Sequence, residues 1–286
     1  MKTRITSIFA LVFCALTLGL ATASHAAEDF KGNWTIESSK QPGQVRFGLI
    51  HHHDGGNSQS QSDWPVSAFQ GLDLASTAKR DVTFKITRDA GRFDCEGYLK
   101  DGEGAGLFHF VPDAQFPKTM SALGFGGIDD EMQYAMAVHD VSLDFAKAIK
   151  AEKLSGVDTD MLIAFRIHGV TPQFIREIRA AGLSTDDADK LVAFRIHGVT
   201  PKMVREVRES GLTVSDDELI AFRIHGVTPE FITKVEKLGY QHLEPDQLVA
   251  MRIHGVTPEY IADMKARGLK NLTVDQLVNM RIHGLN

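Results

Sequence analysis

The octapeptide Phe165-Arg166-Ile167-His168-Gly169-Val170-Thr171-Pro172 keeps returning along the chain, and it restricts the possible folds more than any other feature. It recurs at Phe194 to Pro201, Phe222 to Pro229 and Met251 to Pro258, and in shortened form at Met280 to Gly284. His139 marks a degenerate earlier copy, so histidines 139, 168, 197, 225, 254 and 283 follow one another at steps of 29, 29, 28, 29 and 29 residues. A fixed period of this size implies stacked supersecondary units, none of which can bury its apolar face alone.

Each period reads as two short helices. Leu248 to His254 carries apolar residues at helical spacing and a basic last turn, which suits the negative end of the helix dipole. Gly255 stands where a helix ends in a left-handed residue. Thr257 and Pro258 then supply an N-cap and a first-turn proline for a second helix, which carries Tyr260, Ile261 and Met264 and stops at Gly268. Thr273 to Gln276 and Ser215 to Glu218 have the capping-box form that opens the next first-type helix. Stacking would set neighbouring helix axes roughly 8–10 Å apart. The expected fold class is α+β multidomain: a small antiparallel β-domain over 27–111, followed by an α-solenoid of helix-turn-helix units of about 29 residues over 112–286.

Residues 1–26 read as a secretory signal, with Lys2 and Arg4 before an apolar run and Ser24-His25-Ala26 as a small-x-small cleavage site. The run is too short to span a bilayer, so no stable membrane insertion is expected, and the chain is expected to be periplasmic or secreted. Removing Lys2 and Arg4 and no acid takes the formal charge from −6 to −8. Without a basic excess to meet phosphates, nucleic acid is not an expected partner. Cys95 is the one cysteine left after cleavage, and a buried free thiol is its plain reading.

The stretch before the period alternates in hydrophobicity at period two. Val45 to Ile50, Val82 to Ile86, Arg92 to Leu99 and Ala105 to Phe110 read as strands, the last three joined by turns at Asp89-Ala90-Gly91 and Asp101 to Gly104. Gly55 to Asp63 reads as a polar loop, and Trp64 to Leu72 as a short helix or turn packing its aromatics on the sheet. Val111-Pro112 to Phe116 reads as the start of a second-type helix, which leaves no flexible linker between sheet and array. The first helices are the nearest cover for one sheet face.

Arg166, Arg195, Arg223, Arg252 and Arg281 each precede a histidine by two residues, so stacking should align an arginine ladder beside His168, His197, His225 and His254. The ladders could recognise a carboxylate-bearing or otherwise anionic ligand. They could equally hold neighbouring units together, with the histidine on its own helix's last carbonyls and the arginine tying adjacent copies. Asp160, Asp189, Asp217, Asp246 and Asp275 lie six residues before each arginine, about 240° away around one helix, so such a pair could meet only between copies. No cysteine or carboxylate stands beside the histidines to complete a zinc site, and no metal or other cofactor is expected. His51-His52-His53-Asp54, at a strand end entering the glycine-rich loop, is a second possible metal cluster, in which at most His51 and His53 point together; a surface loop is the plainer reading. Ser76-Thr77-Ala78-Lys79 matches S-x-x-K, but no K-T-G follows, since Met120 succeeds Lys118-Thr119. Nothing assembles a nucleophile, base and oxyanion donors, so no enzyme is expected.

The phrase Asp246 to Tyr260 resembles repeats in the C-terminal extracytoplasmic part of bacterial membrane metallopeptidase regulators related to the β-lactam-sensing antirepressors. Phe93 to Phe110 and Trp64 to Leu72 look like the small β-segment that precedes such repeats. The membrane helices and zinc motif of the peptidase part are absent from this sequence, so no catalytic residue carries over. The resemblance implies a free-standing sensor or interaction region. The expected function is therefore a scaffold that binds a protein or peptide of the cell envelope through the helical surface. The alternative is a sensor of a cell-wall fragment, carbohydrate or antibiotic that uses Trp64, Asn57 to Gln61 and His51 to His53. The array ends on a first-type helix whose apolar flank a second copy of the chain or a partner would cover.

Overall fold

The structure, a computed structural model, describes residues 30–53 and 56–284. Residues 1–29, on which the expected secretory signal falls, Asp54, Gly55 and the last two residues lie outside the described residues. Six strands come first: β1 (Lys31–Ser38), β2 (Gln44–His53), β3 (Gly56–Pro65), β4 (Arg80–Arg88), β5 (Gly91–Lys100) and β6 (Glu103–Pro112). They form one antiparallel sheet in the order β3-β2-β1-β6-β5-β4. Period-two alternation sends Trp34, Ile36, Phe47, Leu49, Phe84, Ile86, Phe93, Phe108 and Phe110 to one buried face.

The sheet curls strongly. Phe47 and Phe84 come from strands separated by three others, yet their ring centroids are 6.4 Å apart. Gln70, just past β3, exchanges both main-chain hydrogen bonds with Lys85 of β4, at 2.8 and 3.0 Å, and so ties the two sheet edges together. Trp34 fills the middle of the curl and donates its indole N–H to the Glu96 carbonyl at 3.1 Å. The indole lies against Gly97 and Gly106; a Cβ on Gly106 would sit 2.0 Å from the Glu96 oxygen and 2.7 Å from the Trp34 nitrogen. That is why a core strand carries the glycine-rich run Gly104-Ala105-Gly106.

Strand β1 has no counterpart in the sequence reading, and two further features differ from it. The stretch Gly56 to Pro65 is a strand, not a loop, in register with β2 from Gln44↔Pro65 to His53↔Gly56. It lies at the sheet edge and its residues before Trp64 are almost all exposed, so apolar alternation was never required of it. Polar side chains on an edge strand also discourage pairing with other chains. The second difference is at the join. Pro112 ends β6 opposite Gly91, and the next helix starts only at Phe116, after a turn in which the Asp113 carboxylate accepts from the main-chain N–H groups of Gln115 and Phe116.

Twelve helices follow among the described residues: α1 (Phe116–Ala122), α2 (Asp130–Val138), α3 (Leu143–Ala151), α4 (Thr159–His168), α5 (Pro172–Ala180), α6 (Ala188–His197), α7 (Pro201–Glu209), α8 (Asp216–His225), α9 (Pro229–Lys237), α10 (Pro245–Ile253), α11 (Pro258–Ala266) and α12 (Val274–Ile282). None of the described helices is long and apolar enough to cross a membrane. Local chemistry sets their ends. Thr171, Thr200, Thr228 and Thr257 each accept a hydrogen bond from the main-chain N–H three residues on, followed in each case by a first-turn proline. Ser215 and Thr273 form capping boxes with Glu218 and Gln276. Helix α4 packs on α6, α6 on α8, α8 on α10 and α10 on α12, while α5, α7, α9 and α11 pack in their own succession. Leu162, Phe165, Ile175, Leu191, Phe194, Val204, Leu219 and Phe222 are fully buried between these rows.

The sheet meets the helices without a spacer. Helix α2 lies against β5 and β6, and the Gln133 amide donates to the main-chain carbonyls of Ala90 at 2.7 Å and Asp113 at 2.8 Å. Tyr134 stacks nearly parallel to Phe30 and Phe108, closing that end of the sheet core. The N–H of Leu143 donates to the Asp89 carboxylate at 2.8 Å.

Gly198 combines two constraints. Its φ is +72°, and an added Cβ would sit 3.0 Å from Nη2 of Arg223. Gly211, at φ +82°, has open space around the same point. Gly211→Ala is expected to cost about 1–2 kcal/mol through backbone conformation alone. Gly198→Ala should cost about 1 kcal/mol more, because a guanidinium must also move. Urea unfolding of the two variants checks this; equal losses would mean that the arginine contact contributes nothing.

Candidate interaction surface

The last turn of α4, α6, α8, α10 and α12 carries the recurring Arg-Ile-His. The phase of the helix dictates where these side chains go. Phe165 faces the core, and Ile167 lies two residues on, about 200° around the axis, so it faces away. The same outward position recurs in α4, α6, α8, α10 and α12. Ile167, Ile196, Ile224, Ile253 and Ile282 are 53%, 56%, 56%, 54% and 54% exposed, respectively. Because these helices pack in succession, the isoleucines form a stripe of half-exposed apolar side chains on one side of the row.

The arginines beside them act between helices. Nε of Arg166, Arg195, Arg223 and Arg252 donates to the main-chain carbonyl of the preceding copy's histidine, residues 139, 168, 197 and 225, at 3.0, 3.1, 3.1 and 3.4 Å. Each cation thereby meets the negative end of its neighbour's helix. Most also lie over a ring of the preceding second-type helix: Arg166 over Phe145, Arg195 over Phe174, Arg252 over Phe231 and Arg281 over Tyr260, at 4.8–5.2 Å. The residue of α7 at the position of these rings is Met203. The acids six residues upstream are not the arginines' partners; Asp217, for one, pairs with Lys190. Among the described residues no carboxylate reaches Arg195, Arg223 or Arg252, and these guanidiniums remain exposed at the surface.

The histidines contribute their carbonyls, not their rings. The imidazoles of His197, His225 and His254 are exposed and that of His168 is half-buried, and none bonds the carbonyls of its own helix. Among the described residues, no three of His, Cys, Asp or Glu gather closely enough to share a metal ion.

The stripe ends at the sheet. In the first copy Val138 replaces the isoleucine and is buried, while Asp140, at φ +56°, replaces the glycine. Its carboxylate bridges Arg88 of the sheet and Arg166 of α4, each at 2.7 Å. Burial pushes the Arg88 guanidinium below its usual range, with Asp140 opposing that shift and Arg166 adding to it. Burial, aided by Arg166, likewise lowers the His139 imidazole.

The β-domain residues expected to touch a small ligand are scattered. Trp64 is 4% exposed, edge-on to Phe47 at 5.2 Å, with the Arg88 guanidinium 4.5 Å above its ring. It belongs to the core because β3, as a strand, delivers it to the buried face. His51 is also buried, its ring against Phe30 and Tyr134 at 4.9 and 5.0 Å. His52 faces outward, as do Asn57 to Gln59 and Gln61 of the edge strand, and its two ring nitrogens lie 2.7 and 2.8 Å from the side-chain oxygens of Asn33 and Asn57. Asp54 and the His53 side chain lie outside the described residues. Ser76 and Lys79 sit in the irregular segment before β4, with the Lys79 ammonium over the Tyr98 ring instead of at the serine. Cys95 is buried in the sheet, and burial together with Asp94 pushes its thiol far above the ordinary range.

The outer face of the sheet carries a concavity of about 800 Å³ that the sequence did not suggest. Lys31, Asn33, His52, Lys85, Asp94, Leu107 and His109 are among its lining residues. Register explains the grouping: Lys85 lies opposite Asp94, Asp94 opposite His109, and His109 opposite Lys31. Arg92 holds Asp94 with two 2.8 Å hydrogen bonds.

No protein-family model matches the chain, and no curated protein matches it.

Proposed function

We propose that this chain is an exported, non-catalytic interaction scaffold. The sheet serves as an end piece, and the helices form an α-solenoid of 29-residue units that binds a protein or peptide of the cell envelope. The observation that carries this reading is the isoleucine stripe: five apolar side chains held at 53–56% exposure, three of them beside Arg195, Arg223 and Arg252, which no carboxylate reaches among the described residues. An apolar residue repeated at an outward helical phase adds nothing to the core, and exposed contiguous apolar surface marks interaction sites. The resemblance of Asp246 to Tyr260 to repeats of extracytoplasmic sensor regions, and the signal-like residues 1–26, support the same reading. Under it, the Arg-to-carbonyl contacts set the spacing of the units and the isoleucines make the contact.

A photo-reactive residue at position 224, compared with one at exposed Lys237 on another helix, tests the proposal in envelope extract. The expected result is one identified adduct at 224 and none at 237, with the purified partner binding Ile224→Ser about tenfold more weakly than the parent chain. Equal adducts at both positions, or unchanged binding by the serine variant, would contradict it.

A second reading, a sensor of a small ligand, is favoured by the 800 Å³ concavity on the outer sheet face. Its contacts would be His52, Lys31, Lys85 and Leu107 in place of Trp64.

A further inference from the structure

The geometry points to the conformation and chemistry of the occupant: an acidic segment in polyproline II conformation, with an apolar side chain at every third residue, lying across the helix row. This inference rests on the interaction-scaffold reading and narrows it. Helices α4, α6, α8, α10 and α12 are direct neighbours, so their axes, and the isoleucines at equivalent positions, step by roughly 8–10 Å. A ligand that uses the whole stripe must present apolar groups at that step and on one side.

The three regular backbones differ sharply here. A β-strand repeats a face every two residues, about 6.7 Å, which falls short of one helix-to-helix step. An α-helix repeats a face about every 5.4 Å and brings a second bulky side chain between successive contacts. Polyproline II has three residues per turn at 3.1 Å each, so every third side chain returns to the same side after about 9.3 Å. That rise falls inside the spacing of the row. Such a backbone forms no internal hydrogen bonds and is preordered by proline, so it binds with little further loss of chain entropy.

Charge supplies the rest. Beside Ile196, Ile224 and Ile253 stand the exposed guanidiniums of Arg195, Arg223 and Arg252, whose Nε atoms are engaged but which have no carboxylate partner among the described residues. One acid per turn of the ligand, next to its apolar residue, therefore meets one arginine per unit. The surroundings are graded along the row. The first-turn position after the proline is Lys202 in α7 but Glu230 in α9 and Glu259 in α11. A ligand acid therefore meets less competing negative charge over α8, which follows Lys202, than over α10 and α12.

The test uses the full chain and thirteen-residue peptides followed by fluorescence anisotropy. The first repeats Leu-Pro-Glu. The second has the same composition with the leucines regrouped. The third repeats Leu-Pro-Lys, and a fourth is an acidic amphipathic helix. The expected result is that Leu-Pro-Glu binds at least about tenfold tighter than the regrouped and lysine peptides, and that Ile224→Ser removes about tenfold of that affinity. Equal binding by the regrouped peptide, or binding indifferent to Ile224, overturns the inference. If only the helical peptide binds, and does so through Ile224, the polyproline assignment falls while the interaction face stands. If sedimentation instead shows that the parent chain self-associates and Ile224→Ser does not, the occupant is a second copy and the inference also falls.

Discussion

Phe194→Ala is expected to lower the stability of the helical part by roughly 3–5 kcal/mol, the range for truncating a fully buried aromatic side chain. Phe194 is 0% exposed and stands in the row formed by α4, α6 and α8, with Phe165 and Phe222 at the equivalent positions on either side. Neither neighbour can collapse into the vacated space without leaving its own site, so relaxation should be small. Two probes separate the effect by region. Both tryptophans, Trp34 and Trp64, lie in the sheet, whereas all the described α-helix belongs to the part after it. Far-ultraviolet circular dichroism should therefore show the full loss in urea, and tryptophan fluorescence a smaller one. A loss below about 1 kcal/mol in the helical signal would mean that this position is not tightly packed.

Asp140→Gly is the second large effect, about 2 kcal/mol, and it acts on the joint. Asp140 already has φ +56°, so glycine relieves the backbone while removing the carboxylate. Arg88 and Arg166 are then left facing one another across the site, and Arg88 is 17% exposed with burial already opposing its charge. Breaking a fully buried pair costs about 3–5 kcal/mol; Asp140 itself is 38% exposed, so solvent screening reduces that to about 2. The informative outcome is the relation between the two probes. Fluorescence and dichroism transitions that coincide in the parent chain should separate in the variant, because the carboxylate spans sheet and helix. Coincident transitions with unchanged midpoints would show that the bridge contributes nothing to the joint.

Which of these features could be read from residue order depends on how local their causes are. Helix ends were legible because Thr-Pro, Gly and the capping boxes act within four residues of where they stand. The edge strand β3 was not, since an edge needs no apolar face and its Gln-Ser alternation reads as a loop; Trp64 belongs to that strand, while a short helix, Val66–Ala68, and the packing of Trp64 and Phe69 on the sheet agree with the sequence reading. The partner of each ladder arginine was also out of reach, because it is a main-chain carbonyl and carries no residue signature. The acids six residues upstream shared the arginines' period only because everything in a repeated unit does. By contrast, the isoleucine stripe was legible: about 200° separates Ile167 from Phe165 on a helix, which turns it away from the face that Phe165 buries. It carries no ionisable or motif-forming residue, so helical phase is its one sequence signal. The bridge among Arg88, Asp140 and Arg166 spans sheet and helix and has no local signal at all.

Hydroxyl-radical footprinting of the full chain tests most directly whether equivalent helix positions are held in register with their isoleucines outward. Ile167, Ile196, Ile224 and Ile253 should be oxidised at closely similar rates, while Phe165, Phe194, Phe222 and Leu219 in the same helices stay protected. Isoleucines that differ widely among themselves, or that are as protected as the phenylalanines, would contradict an open, regular stripe and the scaffold built on it.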